Sequence, residues 1–149
     1  MRVQTSRYFE AECEQLWPLL TSSQMTASGY FCLGVPRPLY CELPGQQGGV
    51  GAERRCVSDR GTVIQEITGW DPPERLRFRM VSTDHDWGRW IASIDEEFVL
   101  QPSGQGTQLT RTTRCTARGP GSTLKERMLW FGLKRVHLYV FANWQRERQ

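Results

Sequence analysis

A chain of 149 residues with 38% apolar side chains is long enough for one domain, and six tryptophans, six phenylalanines and four tyrosines give its core aromatic walls. Its formal charge of +3, from 19 basic and 16 acidic residues, is scattered along the chain, and the nearest basic cluster, Arg54-Arg55, stands beside Glu53. So slight and dispersed a balance leaves no electrostatic footprint for nucleic acid, and no nucleic-acid partner is expected.

The start, Met1 to Trp17, carries acids from Glu10 and lacks the continuous apolar core of a secretion signal. The longest apolar stretch, Leu138 to Ala142, is far too short to span a bilayer. A cytoplasmic protein without stable membrane insertion is the expectation. Cys13, Cys32, Cys41, Cys56 and Cys115 show neither CxxC nor zinc-like spacing. An odd, scattered set points to free and mostly buried thiols in a reducing compartment.

In chain order, Arg2 to Phe9 alternates as a strand, with Val3, Thr5, Arg7 and Phe9 on one face. Glu10 to Leu20 changes period and predicts a short amphipathic helix through Cys13, Leu16, Trp17 and Leu20, bent or ended by Pro18. Thr21 to Ser23 can cap a second short helical turn reaching Met25. Gly29 to Gly51 is broken by prolines and glycines, with short strands near Tyr30 to Leu33 and Leu39 to Leu43. The run Gly45 to Gly49 reads as a hairpin loop or an entrance flap; no Lys-Ser/Thr follows it, so it is not a phosphate loop.

Ala52 to Ser58 resumes strand character and turns at Asp59-Arg60-Gly61 into a long hairpin, Gly61 to Val81. Its first arm places Val63, Gln65, Ile67 and Gly69 opposite Ile64, Glu66, Thr68 and Trp70. The second places Leu76, Phe78 and Met80 opposite Arg75, Arg77 and Arg79, the period of a sheet with one apolar and one wet face. Asp71, Pro72, Pro73 and Glu74 form the turn between them. After a connection at His85 to Gly88, Trp90 to Leu100 is a strand with Trp90, Ala92, Ile94, Glu96, Phe98 and Leu100 on one face. Pro102 to Gly106 is a hairpin turn, and Thr107 to Ala117 is the next strand, rich in threonine.

Gly119-Pro120-Gly121 stops the sheet, and Ser122 or Thr123 caps a helix running to about Glu147. Leu129, Leu133, Val136, Val140 and Trp144 make one stripe with His137 at its edge, while Met128, Phe131, Leu138, Tyr139 and Ala142 cover much of the rest. The predicted class is α+β, a curved antiparallel sheet wrapped around the long C-terminal helix, with two short helices after the first strand.

With Val3 to Leu20, Val50 to Gly61, Val63 to Met80, Gly106 to Thr113 and the terminal helix in this order, the chain resembles the START-like superfamily, the helix-grip group of polyketide cyclase/dehydrase and lipid-transport domains. The resemblance spans nearly all of residues 1–149, read as a single domain. It implies a deep cavity between sheet and helix for a lipid, polyketide or aromatic metabolite. It does not decide between carrier and enzyme.

The expected wall of that cavity is Leu76, Phe78, Met80, Ile94, Phe98, Leu133, Val136 and Val140. Glu96, Arg111 and His137 are its polar candidates: a cross-strand Glu96–Arg111 pair holds a ligand carbonyl or only the sheet, and His137 is a general base or a hydrogen-bonded structural histidine. Glu66 is a second candidate for the role of Glu96. His85, between Asp84 and Asp86, reads as a solubilising loop histidine. Asp95, Glu96 and Glu97 are consecutive and alternate faces, so no metal site is expected, and no cofactor. Three functions follow: a binder or carrier of a small hydrophobic or amphipathic molecule, a cyclase or dehydratase working through Glu96, Arg111 or His137, and a non-catalytic homodimer joined through Met128, Phe131, Leu138 and Tyr139.

Overall fold

Among the described residues, eight strands form one antiparallel sheet: β1 (Arg2–Phe9), β2 (Ser23–Gln24), β3 (Pro38–Glu42), β4 (Glu53–Ser58), β5 (Gly61–Asp71), β6 (Arg75–Thr83), β7 (Ile91–Ser103) and β8 (Gly106–Ala117). Their spatial order is β1-β8-β7-β6-β5-β4-β3-β2. Helix α1 (Cys13–Thr21) leads from the β1 edge towards the β2 edge, and α2 (Ser122–Glu147) packs on the curved sheet, mostly over β1 and β8. This computed structural model describes residues 1–26, 31 and 34–148, so the strand expected at Tyr30 to Leu33 lies, except for Phe31, outside the described residues, as does Cys32.

The helix-grip architecture holds, and the departures from the expected pattern have local causes. Ser23 and Gln24 do not open a second helical turn; they pair with Cys41 and Tyr40 and complete the far edge of the sheet. Pro18 stays inside α1, which runs three residues past it; Ser22 N–H donates to the Pro18 carbonyl at 2.9 Å to close the end. Gly121, with φ 72°, is the N-cap residue of α2 in place of Ser122 or Thr123. Pro102 lies within β7, and the hairpin tightens to Gly104-Gln105 with Gly104 at φ 59°.

Alternation along β6 behaves as the sequence implies. Leu76 and Phe78 are buried, while Arg75, Arg77 and Arg79 face water and meet Glu97 and Glu66 across the outer surface. Glu66 therefore belongs to the wet face and is no candidate for the interior. The neighbouring strand breaks the alternation. A bulge between Ile67 and Gly69 inserts Thr68, so Trp70 pairs with Leu76 and turns onto the core face instead of the opposite one. There it meets Trp17 edge-on at 5.2 Å. A similar irregularity between Ile91 and Ser93 leaves Ala92 exposed, although Ile94, Glu96, Phe98 and Leu100 stay inward.

The glycine-rich loop between β3 and β4 seats on Trp70. A methyl group built on Gly48 would fall 2.0 Å from the Trp70 ring, so only a hydrogen fits between backbone and indole. Gly48→Ala is expected to destabilise the protein by about 1–3 kcal/mol, the usual cost of overpacking, as read by urea denaturation. An unchanged midpoint would show the loop lifting freely from Trp70.

Two of the five cysteines are not free. Cys41 and Cys56 lie opposite each other in β3 and β4 and form a disulfide with a Cα–Cα distance of 4.1 Å. They stand 15 positions apart in sequence, and only the strand register brings them together. Cys13 and Cys115 are buried free thiols, and burial pushes Cys115 up to about 11.

Candidate functional site: a divided core beneath the terminal helix

The interior is split. A large apolar cluster gathers Phe9, Leu16, Leu76, Phe78, Phe98 and Trp144, and a smaller one gathers Ile91, Ile94 and Cys115 with Met80, Trp87 and Leu133 against it. Between them lies a cavity of about 130 Å³, whose walls draw on Phe98, Val140 and Trp144 from one side and on Met80, Ile94 and Leu133 from the other. Outside it, a groove of about 730 Å³ runs between the first half of α2, residues 34–36 and the short turn Asp86–Trp90. Pro36, His85, Trp87, Leu133 and Val136 line both spaces and form the threshold between them.

Of the residues expected at the cavity, Met80, Ile94, Glu96, Phe98, Arg111, Leu133, Val136 and Val140 line it. Leu76 and Phe78 do not: both are sealed in the large apolar cluster. His137 does not line it either. It is not an edge residue of α2 but wholly buried, with Nδ1 3.0 Å from Thr5 Oγ1 and Nε2 2.7 Å from Thr113 Oγ1. Desolvation, reinforced by the charges of Arg111 and Lys134, pushes it down to about 2. A neutral ring with both nitrogens occupied ties α2 to β1 and β8, and cannot serve as a base towards the cavity.

Glu96 and Arg111 do meet. They sit diagonally across β7 and β8, and the guanidinium forks onto the carboxylate through Nε–Oε2 at 2.8 Å and Nη2–Oε1 at 2.9 Å. Arg111 also lies 5.3 Å from the centre of the Phe98 ring. Both oxygens of Glu96 are thus engaged by one partner.

Sequence reasoning missed Arg54 and misjudged His85. Arg54 is only 4% exposed, lines the cavity and stacks 4.4 Å over Phe78. Its Nε donates to the Leu20 carbonyl at 3.0 Å, and its Nη1 donates to Gln65 Oε1 and lies 2.9 Å from Cys56 Sγ. Burial pulls its pKa down to about 9, against the opposing charge of Glu96, so it stays protonated at neutral pH. The available signal was alternation: Arg54 shares a strand face with Cys56, two residues on. His85 is buried, its Nε2 lies 3.1 Å from Ser58 Oγ and its ring stacks on Trp87 at 4.8 Å. Burial lowers its pKa despite Asp84, Asp59 and Asp86, so it guards the threshold as a neutral ring. Of the two readings of the glycine-rich segment, it is the hairpin loop joining β3 and β4, and it lines neither space as an entrance flap would.

The family profile described as polyketide cyclase / dehydrase and lipid transport matches residues 1–137. The chain belongs to this family. Solved structures share its fold at low identity. A protein from Mesorhizobium loti superposes with a TM-score of 0.69 at 18% identity, covering 98% of this chain and 95% of its own. A START superfamily protein from Mycobacterium smegmatis gives 0.68 at 12% identity, covering 99% of this chain and 96% of that one. An aromatase/cyclase from a Streptomyces species gives 0.66 at 16% identity, again covering 99% and 96%. A search of curated proteins finds no significant match. Family membership supports a ligand-binding or cyclase role, and among the described residues no helix is long and apolar enough to cross a membrane.

Proposed function

We propose that this family member binds a small hydrophobic or amphipathic molecule in the cavity between sheet and α2, admitting it through the groove. The observation that carries this reading is the pairing of an interior cavity with an outer groove through a shared threshold of five residues. Apolar ligand surface buried there contributes about 25 cal/mol per Å² before ordering costs. Leu76 and Phe78 support the wall from behind, and Met80, Ile94, Phe98, Leu133, Val136 and Val140 make the apolar contact.

Native mass spectrometry of the purified protein and displacement of a fluorescent lipid test the reading directly. Val136→Trp places an indole in the threshold, and affinity for an apolar probe is expected to fall about tenfold or more, equivalent to roughly 1.4 kcal/mol, with the fold intact by circular dichroism. Undiminished probe binding by that variant would remove the cavity from the proposal.

The cyclase or dehydratase reading draws on Glu96 and Arg111 facing one cavity. Against it, Glu96 is held on both oxygens by Arg111, and His137 is outside. The site therefore favours binding and orientation over proton transfer. The homodimer reading loses Tyr139, which is buried against Phe31 at 5.0 Å, and keeps exposed Met128, Phe131 and Leu138, the first two lining the groove.

A further inference from the structure

The polar side of the cavity is out of charge balance. Among the described residues its wall holds two guanidiniums, Arg54 and Arg111, and one carboxylate, Glu96, while burial lowers the pKa of the His85 ring in the same wall and keeps it neutral. Arg111 consumes Glu96 completely in the bidentate pair. Arg54 has three neutral partners, and among the described residues no carboxylate lies within ion-pair distance of it. An almost wholly buried cation with only neutral acceptors is an expensive arrangement unless something else completes it. Its Nη2 has no acceptor among the described residues, so one arm of the fork is open.

Hydrogen-bonding capacity is unbalanced in the same sense. Two other side chains of the cavity wall, Trp87 and Trp144, have buried indole N–H groups with no acceptor among the described residues. An indole N–H can only donate, so the deficit on this wall is of acceptors. Charge and donor count point to the same complement.

Resting on the ligand-binding reading, we infer that the cavity selects an apolar molecule carrying a single negative charge, a monocarboxylate whose head pairs with Arg54 while its body lies among Phe98, Val136, Val140 and Trp144. One negative charge neutralises the surplus; a dianion would overshoot it. The open Nη2 arm of Arg54 donates to one carboxylate oxygen in a charge-assisted hydrogen bond, and the Phe78 ring beneath holds the guanidinium flat. Leu20 and Gln65 fix its remaining donors, so binding requires little reorganisation of the arginine.

Isothermal titration of decanoate against 1-decanol, equal in chain and different in head, tests the selection. Wild-type protein is expected to hold decanoate about tenfold or more tighter than the alcohol, the size of one charge-assisted pair. Arg54→Gln should abolish that preference by weakening decanoate, with the alcohol changed by less than about threefold. Should Arg54→Gln fail to fold, Arg54→Lys, which keeps the charge but not the anchored planar guanidinium, should retain part of the preference. If wild-type protein binds decanol at least as well as decanoate, the charge inference is wrong and the ligand-binding reading stands. If neither probe binds and native mass spectrometry also finds no apolar ligand, both fall.

Discussion

Replacing Glu96 with Leu is expected to destabilise the protein by about 3–5 kcal/mol, because it strands a buried guanidinium. The Arg111 side chain is 11% exposed and Glu96 5%, so neither group can reach water to recover its hydration. Arg54 makes the loss worse, since its charge already lowers the tolerance of this region for a second unpaired cation. The reciprocal change should cost less. In Arg111→Leu the carboxylate loses its fork but keeps the nearby charge of Arg54, the group whose pKa Glu96 raises. The double replacement Glu96→Leu with Arg111→Leu should return to within about 2 kcal/mol of wild type, because it removes both desolvation costs together. Urea denaturation of the four proteins measures the cycle. Additive losses, or a Glu96→Leu variant within 1 kcal/mol or so of wild type, would mean the pair is hydrated and not part of a dry wall.

Acid is expected to weaken the fold through His137. In the folded protein this imidazole is neutral down to about pH 2, whereas in the unfolded chain it takes up a proton near its ordinary value of 6.5. Above that value both states are neutral and the group contributes nothing to pH dependence. Below it the unfolded state binds the extra proton, so stability falls by about 1.4 kcal/mol per pH unit, with the window closing only near the folded-state value. His85, lowered in the same direction, steepens the upper part of the loss. The His137 ring protons should show no titration by NMR between pH 7 and pH 5. His137→Gln should lower stability at neutral pH and flatten the slope between pH 6.5 and 5. A wild-type slope in that variant would assign acid sensitivity elsewhere.

Both expectations depend on which residues face inward, and this was partly legible beforehand. Period-two alternation located Ile94, Glu96 and Phe98 on β7 and Met80 on β6, since a regular strand leaves a side chain only two choices of face. The diagonal meeting of Glu96 with Arg111 followed from two adjacent antiparallel strands in phase. Where a bulge entered, the same reasoning failed: Thr68 is one extra residue, and one residue is enough to send Trp70 to the other face.

By itself, the sequence determined the order of elements, except for the second short helix whose place β2 takes, and the wet face of arginines on β6, because periodicity and turn residues act locally; the helix-grip class came from the resemblance those elements carry together. Tertiary structure decided the rest. Whether an apolar residue seals the core or lines a void depends on what lies across from it: Leu76 and Phe78 meet close-packed neighbours, while Met80 and Val136 meet a gap. Pairing of Cys41 with Cys56 needed the register of β3 against β4, which no spacing encodes. Of its two readings, base at the pocket edge or hydrogen-bonded structural histidine, His137 takes the second, as a buried tie between Thr5 and Thr113, 132 and 24 positions away. Arg54, one of two adjacent arginines in a weakly basic chain, became the charge that the cavity leaves uncompensated, because burial removes the solvent that makes surface arginines interchangeable.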